Sequence, residues 1–188
     1  MRQTKILGTL AASAVALVAL GTSVHAKNPM VGGAEMPASK NIIENAVNSK
    51  DHKTLVAAVK AAGLVETLQG RGPFTVFAPT DKAFAALPKG TVETLLKKEN
   101  KAQLTKILTC HVVSAKAMSN AIVKMIKDDK GNHPVKTVGG CTFNAKMEDG
   151  KVIIEGGQGS KATVTIADVE QSNGVIHVVD GVLLPAAS

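Results

Sequence analysis

The sequence predicts an α+β fold, because helical patterns dominate its first part, strand patterns dominate its last part, and a single strand lies early among the helices. Apolar residues recur at helical spacing between residues 41 and 126. From Asp128 onward, short β-branched and alternating runs replace that pattern. This order favours helices segregated from a sheet over an alternating βαβ fold. A length of 188 residues is typical of one domain.

The first 26 residues have the pattern of a secretory signal peptide. Arg2 and Lys5 precede an uncharged apolar run from Ile6 to Leu20, and Val24-His25-Ala26 offers a cleavage site. We expect cleavage after Ala26 and a secreted or periplasmic mature chain. An uncleaved membrane anchor is the alternative, but the run is short for a membrane span and no stop-transfer pattern follows it.

Residues 27–38 are predicted to be a flexible linker, because they contain Pro29, Gly32, Gly33 and Pro37 and no apolar period. The folded domain is then expected to cover residues 39–186. Within it, apolar spacing predicts helical stretches at residues 42–47, 55–62, 83–87, 92–96, 104–111 and 117–126, with one more apolar turn at residues 64–68 after an interruption at Gly63.

Two stretches carry signals for helix starts. Asp51 is a plausible N-cap for the second helical stretch. Thr80 is predicted to cap the next helix, with Asp81 in its first turn, where the helix dipole favours a negative charge. Thr80 and Asp81 are therefore expected to hold the junction between the early strand and its helix.

Strand signals occur at residues 74–78, 135–138, 141–145, 151–155, 162–168 and 175–184. Asn173-Gly174 is interpreted as a turn before the last strand, because both residues tolerate positive φ. The last strand is apolar on both faces, which indicates a position in the middle of the fold. His177 lies inside it and is expected to secure it by a hydrogen bond to neighbouring backbone.

Charge and composition disfavour nucleic-acid binding. The net charge is +7, and removal of Arg2 and Lys5 leaves +5, spread over scattered lysines that are typical of a solubilising surface. The chain has four phenylalanines and no tryptophan or tyrosine, so platforms for stacking bases are nearly absent.

Cys110 and Cys141 are the two cysteines of the chain. In an exported protein such a pair indicates a disulfide first, and two buried free thiols are the alternative. A bridge that closes a loop of about 30 residues would contribute roughly 3–4 kcal/mol in the loop-entropy model.

No catalytic, cofactor or metal motif is recognisable, and the chain is not expected to be an enzyme. Gly157-Gln158-Gly159 follows a strand but precedes another strand, whereas a dinucleotide fingerprint needs a helix there. Nucleophile-elbow and Walker motifs are absent, and no histidine pair has the spacing of a helical metal site. His177 and Asp180 would lie on opposite faces of one strand.

Two long segments resemble the signatures of the fasciclin (FAS1) domain family. The first is Gly72-Pro73-Phe74-Thr75-Val76-Phe77-Ala78-Pro79-Thr80-Asp81-Lys82-Ala83-Phe84. The second runs from Asn173-Gly174-Val175-Ile176-His177-Val178-Val179-Asp180 through Val182-Leu183-Leu184-Pro185. The resemblance spans roughly Ser39 to Pro185. It implies a wedge or sandwich of strands with several helices packed on one side, in an exported protein that acts in adhesion.

The resemblance also carries over two adhesion positions. Asp168-Val169 matches an Asp-Ile pair before the second signature, and Cys110-His111 matches a Tyr-His pair in which cysteine replaces the tyrosine. That replacement suggests that a bridge from Cys110 to Cys141 takes the place of the tyrosine contact. Asp168, Val169 and His111 are therefore candidate interaction residues, and core or strand-edge packing is the alternative for each.

The expected function is that of a non-enzymatic binding module, without a cofactor, that contacts a cell-surface or matrix protein or an envelope polymer. We expect a monomer, with no nucleic-acid partner and no stable membrane insertion of the mature chain. A periplasmic small-ligand carrier, an unrecognised hydrolase or a stress-related exported scaffold are the alternatives. A deep polar pocket beside His111 or His177 would favour a carrier or a hydrolase.

Overall fold

The computed structural model describes residues 28–187. The predicted signal peptide, residues 1–26, and its cleavage site lie outside the described residues. No helix in the range 28–187 is long and apolar enough to cross a membrane.

Residues 28–38 are not a loose linker, and this prediction is wrong. They form a small hairpin of strands β1 (Met30–Val31) and β2 (Ala34–Glu35), turned by Gly32 and Gly33 with φ of +57° and +75°. Val31 and Met36 are 5% and 2% exposed and belong to the hydrophobic core. The hairpin forms because these two side chains have apolar surface to bury.

Seven α-helices follow, mostly short, and one 3₁₀ turn at Lys98–Asn100. The helices are α1 (Ile42–Ala46), α2 (Lys53–Ala62), α3 (Val65–Gln69), α4 (Asp81–Ala85), α5 (Thr91–Leu95), α6 (Lys101–Cys110) and α7 (Ser119–Asp128).

The remaining strands form one mixed seven-stranded sheet. They are β3 (Phe74–Pro79), β4 (Val112–Val113), β5 (His133–Lys136), β6 (Thr142–Glu148), β7 (Lys151–Glu155), β8 (Lys161–Gln171) and β9 (Gly174–Val179). Their order is β4-β3-β9-β8-β7-β6-β5. Within residues 28–187, β3 and β9 are the only neighbouring strands that run parallel, with Phe74 opposite Gly174 and Pro79 opposite Val179. The predicted α+β class is confirmed.

Strand β9 lies between β3 and β8, and all six of its residues are buried. Its alternate side chains point to opposite faces of the sheet. Ile176 and Val178 join the larger core, which α1 to α6 cover, whereas Val179 joins a second core that α7 covers on the other side of these strands. The helices therefore do not all pack on one side, because α7 buries Ile122 and Ile126 in the second core.

Two predicted boundaries differ from the structure. The last strand ends at Val179 and not at residue 184, because the chain bends at Gly181, where a Cβ would overlap the Lys161 carbonyl. Asp51 does not cap α2: His52 occupies the N-cap position without a side-chain cap bond. The turn between β6 and β7 contains Asp149 and Gly150, with φ of +50° and +75°.

Candidate interaction site

Asp168 caps helix α7 from an irregular part of β8. The register of β8 against β9 shifts twice between Val164 and Val169, and Asp168 has φ of +59°. Its carboxylate accepts a hydrogen bond of 2.6 Å from the Ser119 backbone N–H and another from the Ser119 hydroxyl. Both carboxylate oxygens are therefore engaged at the start of α7, and the side chain is only half-buried.

Val169 and His111 are core residues. Val169 is 1% exposed and His111 is 2% exposed. His111 Nδ1 donates to the Ile107 carbonyl at 2.8 Å, and its Nε2 accepts from the Leu183 backbone N–H at 2.9 Å. Burial lowers the pKa of His111 to about 4, so the ring is neutral at pH 7. Neither side chain is accessible to a partner in this structure, and the packing alternative describes both.

His177 ties three segments together and is fully buried. Its Nε2 donates to the Ala117 carbonyl at 2.8 Å, and its Nδ1 accepts from the Asp168 backbone N–H at 3.2 Å. The ring stacks on Phe77 with 5.7 Å between centroids. Burial is the main cause that lowers the pKa of His177.

Ser119, His177 and Asp168 are the three residue types of a hydrolase triad, but their bonds are not those of a triad. The Ser119 hydroxyl donates to Asp168 and not to His177. Both His177 nitrogens are bonded to backbone groups, so no base stands ready to take the serine proton. This arrangement fixes α7 against β8 and β9 and does not activate a nucleophile.

Thr80 and Asp81 join two helix starts. Thr80 Oγ1 accepts from the Ala83 backbone N–H at 3.3 Å and so caps α4. Asp81 Oδ1 accepts from the Thr54 backbone N–H at 2.8 Å, in the first turn of α2. The Asp81 backbone N–H donates to the Asp51 carbonyl at 2.7 Å. One free N–H group in the first turn of α2 thus finds its acceptor in a residue 27 positions away.

Asn173 connects the β8–β9 turn to the helical layer. Its Oδ1 accepts from the Ile42 N–H at 3.1 Å, and its Nδ2 donates to the carbonyls of Leu68 and Gly70, both at 2.8 Å. Neither Asn173 nor Gly174 has positive φ, so the predicted reason for this pair is wrong. Glycine is needed at residue 174 because a Cβ there would overlap the Phe74 carbonyl of the neighbouring strand.

The structure contains the Cys110–Cys141 disulfide, with 5.5 Å between the two Cα atoms. Two backbone bonds lie beside it, from the Gly139 N–H to the Thr109 carbonyl at 2.9 Å and from the Val138 N–H to the Val112 carbonyl at 2.7 Å. The bridge and these bonds fasten the end of α6 and β4 to the turn before β6.

The cavity beside His111 is too small for a ligand. It is apolar and has a volume of about 30 Å³, close to the space of one water molecule. A larger groove of about 400 Å³ lies elsewhere, lined by Asp51, His52, Asp81, Lys82 and Asp180 among others. Among residues 28–187, no group of three acidic, histidine or cysteine side chains could hold a metal ion.

Sequence reasoning missed His52, which lines that groove. His52 is 3% exposed, its Nδ1 lies 2.8 Å from the Ser49 hydroxyl, and its Nε2 has no hydrogen-bond partner. Burial is the main cause that lowers its pKa, against the opposing influence of the Ala78 backbone, Asp51 and Asp81. The only sequence signal was its place directly after Asp51, which indicated an ordinary helix start.

Comparison with known proteins agrees with this architecture. The chain is 48% identical over 159 residues to protein sll1483 of Synechocystis sp., covering 85% of this chain and 81% of that protein. It is 36% identical over 134 residues to transforming growth factor-beta-induced protein ig-h3 of Sus scrofa, covering 71% of this chain and 18% of that protein.

A solved FAS1 domain pair from the insect cell adhesion molecule fasciclin I has the same fold. The TM-score is 0.67 at 21% identity, over 77% of this chain and 51% of that chain. The family model described as the fasciclin domain matches residues 50–185. The chain therefore belongs to the fasciclin domain family.

Proposed function

We propose that this chain is an exported, non-enzymatic binding module that mediates cell adhesion or contact with an envelope or matrix component. The observation that carries the proposal is its fasciclin domain, whose fold also occurs in a cell adhesion molecule. The partner is a cell-surface or matrix protein or an envelope polymer, and the chain acts as a monomer without a cofactor. The leader pattern of residues 1–26 supports the proposed export, to the periplasm or the medium.

The internal use of the polar motif residues supports a binding role over a catalytic one. Four motif residues form their hydrogen bonds to backbone groups or to Ser119, and these are His111, His177, Asp168 and Asn173. Side chains committed in this way fix the scaffold and are not free to carry a reaction. Recognition then falls to the exposed surface around them.

An adhesion assay tests the proposal. The full sequence is expressed in a bacterial host, and the exported protein is coated on a surface over which host and neighbouring cells are passed. We expect retained cells to increase with coating density and to be released by soluble protein. The matched control is the same protein, reduced, alkylated and unfolded. Retention equal to that control, or no retention by protein shown to be folded, would contradict the adhesion function.

Asp168→Ala is not a clean probe of the adhesion position, because it removes the cap of α7 as well as a surface charge. Asp168→Asn retains an acceptor and tolerates positive φ, so it is the better variant in this assay. We expect retention with Asp168→Asn to stay near that of the unchanged protein, because the carboxylate already bonds Ser119.

A small-ligand carrier is a second candidate, and the groove beside His52 is the observation that favours it. Its volume of about 400 Å³ suits a small molecule, and its walls carry three carboxylates against one lysine. The expected ligand is a small organic amine. Calorimetric titration with 1,4-diaminobutane, with Asp180→Asn in parallel, tests this candidate, and an absence of heat would contradict it.

A further inference from the structure

Basic and acidic residues are distributed unevenly between the two halves of this chain. Residues 28–115 contain 11 lysines and arginines against 7 aspartates and glutamates. Residues 116–187 contain 8 of each. The whole net charge of the described residues, +4, therefore lies in the half that forms helices α1 to α6.

Ion pairs are divided in the same way. All five ion pairs found within residues 28–187 are formed by residues in the range 116–170. None of the lysines on the helical half is paired with a carboxylate. Their charge is therefore not neutralised locally and is available to an anionic partner.

Helices α2 and α6 carry four of the lysines of the helical half. Each contains two lysines and no acidic residue, and the two helices pack against each other. Lys101 Nζ, at the start of α6, would lie 3.4 Å from a Cβ on Gly63, the residue that ends α2. We define the basic helical surface by six exposed lysines on α2, α6 and the turn before α6: Lys53, Lys60, Lys97, Lys98, Lys101 and Lys106.

Neighbouring groups do not cancel this surface. Glu66, Glu93 and Glu99 are the acidic residues of α3, α5 and the 3₁₀ turn, and none of them lies in an ion pair. Lys106 Nζ donates to the Gly139 carbonyl, which is neutral, so its charge remains. Asp51 and Asp81 also lie at the start of α2, where Asp81 accepts a hydrogen bond from the Thr54 N–H. Six ammonium groups thus stand against five carboxylates, and the excess positive charge lies toward Lys60 and the start of α6.

We propose that the basic helical surface binds an acidic polysaccharide, which deepens the proposed function by naming the class of its partner. Lysine acts as a strongly hydrated point charge on a flexible stem, and the surface contains no arginine. Such a surface responds to charge density along a polymer and does not clamp one planar anion. A polysaccharide with a carboxylate or sulfate on each repeating sugar supplies that density in hydrated form.

Two other polyanions fit the surface less well. Single-stranded nucleic acids bind through aromatic platforms for their bases, whereas Phe77, Phe84 and Phe143 are buried and Phe74 is partly buried. An interfacial helix needs a free apolar face for the lipid, whereas α2 and α6 bury theirs in the core through Leu55, Val59 and Leu104, among others. The surface thus offers charge with neither base stacking nor lipid insertion.

A charge-reversal experiment tests the inference on the full 188-residue sequence, expressed in a bacterial host and purified with its natural N-terminus. One variant carries Lys60→Glu, Lys98→Glu and Lys101→Glu. The matched control carries Lys127→Glu, Lys136→Glu and Lys151→Glu, which are exposed lysines outside ion pairs on the other half. Both variants lose the same net charge, so a difference between them reports the position of the charges.

Binding is measured with fluorescently labelled polygalacturonate, and neutral dextran serves as the uncharged polymer. We expect the first variant to raise the Kd for polygalacturonate at least about tenfold and the control to change it much less. Added salt should weaken binding of the unchanged protein. If charge reversal unfolds the chain, as circular dichroism would show, Lys60→Gln with Lys98→Gln and Lys101→Gln replaces it with the same expected direction.

Equal losses in the two variants, or none in either, would overturn the inference. Equal or tighter binding of an oligonucleotide or of phosphatidylglycerol vesicles would overturn its assignment to polysaccharide. The cell-retention assay separates it from the proposed function. Retention that survives in the variant lacking polygalacturonate binding preserves adhesion and rejects this partner, whereas polymer binding without retention supports this surface and rejects adhesion.

Discussion

At the scale of single residues, two of the three buried histidines, His111 and His177, connect distant backbone segments. His111 and His177 each use both ring nitrogens, and together they reach Ile107, Leu183, Ala117 and Asp168. The bond that each ring accepts requires a neutral imidazole, because both nitrogens of a protonated ring are donors. The pKa of His52, His111 and His177 is lowered mainly by burial, so all three resist protonation in the folded protein.

This burial predicts a stability that falls in acid. The pKa of His111 is lowered from 6.5 to about 4 in the folded protein. The unfolded chain therefore binds a proton at this residue in a pH range where the folded chain does not. Its contribution is fully present above the unfolded pKa and is lost as the pH falls from about 6.5 to about 4. We expect His111 to remove about 3 kcal/mol from the free energy of unfolding across that range.

Urea denaturation at a series of pH values, with His111→Gln in parallel, measures this contribution. Glutamine can donate and accept but does not titrate near neutral pH. The variant should show a shallower dependence on pH, with a remaining slope from His52 and His177. Parallel pH profiles for the two proteins would contradict the assignment to His111.

At the scale of elements, the N-terminal hairpin is part of the folded domain. It places Val31 and Met36 in the core, and the Lys50 backbone N–H donates to the Gly32 carbonyl at 3.1 Å. A Cβ on Gly32 would overlap the Ser49 hydroxyl, so glycine is needed where the hairpin crosses the turn before α2. The hairpin therefore covers the core near β3 and β9 and does not act as a spacer.

Two methionines of this hairpin region test its role. Met36 is 2% exposed and Met30 is 49% exposed. Met36→Ala should lower the free energy of unfolding by about 2–5 kcal/mol, because it removes buried apolar volume. Met30→Ala should change it by less than about 0.5 kcal/mol. Chemical denaturation gives both values, and equal small effects would mean that the hairpin does not pack.

At the scale of the whole molecule, the disulfide lies where the two cores meet. Cys110 ends α6, whose other apolar residues belong to the larger core, whereas Cys110 and Cys141 pack in the second core. The bridge thus joins the helical half of the chain to the strands that follow α7. Its loss should loosen the connection between the two layers.

Replacement of both cysteines by alanine tests this connection. Cys110→Ala with Cys141→Ala should lower the free energy of unfolding by about 3–4 kcal/mol, because a loop spanning 31 positions is no longer closed in the unfolded chain. Urea denaturation of the variant and of the reduced parent protein should give similar losses. An unchanged midpoint, or two thiols titrating in the unfolded, non-reduced parent, would contradict the bridge.

Periodic segments were predictable from sequence, and contacts between distant residues were not. Leu55, Val59 and Ala62 share one face at helical spacing, so α2 could be predicted directly. Strand β9 is apolar on both faces, so its central position could be predicted as well. Strands of two residues, such as β1 and β2, are too short to show a period. Asp81 serves α2 across 27 positions, and no local pattern reports such a partner.

The candidate site, too, could be predicted only where a local pattern reports it. The disulfide could be favoured over two free thiols because the number of cysteines is even and the chain is expected to be exported. The burial of His111 and Val169, and the capping of α7 by Asp168, depend on how β8, α6 and α7 meet in space. The basic helical surface could not be distinguished from scattered lysines until α2 and α6 were seen to pack side by side.

The parallel pairing of β3 with β9 has a consequence for the order in which the chain can fold. Phe74 and Gly174, which are partners in this pairing, are separated by one hundred residues. A polypeptide emerging from the ribosome cannot complete the middle of this sheet until residues 174–179 are also free. Such long-range pairing also slows folding, since a large loop must close first. The rigidity that this central pairing gives to the sheet is therefore gained late in the folding of the domain.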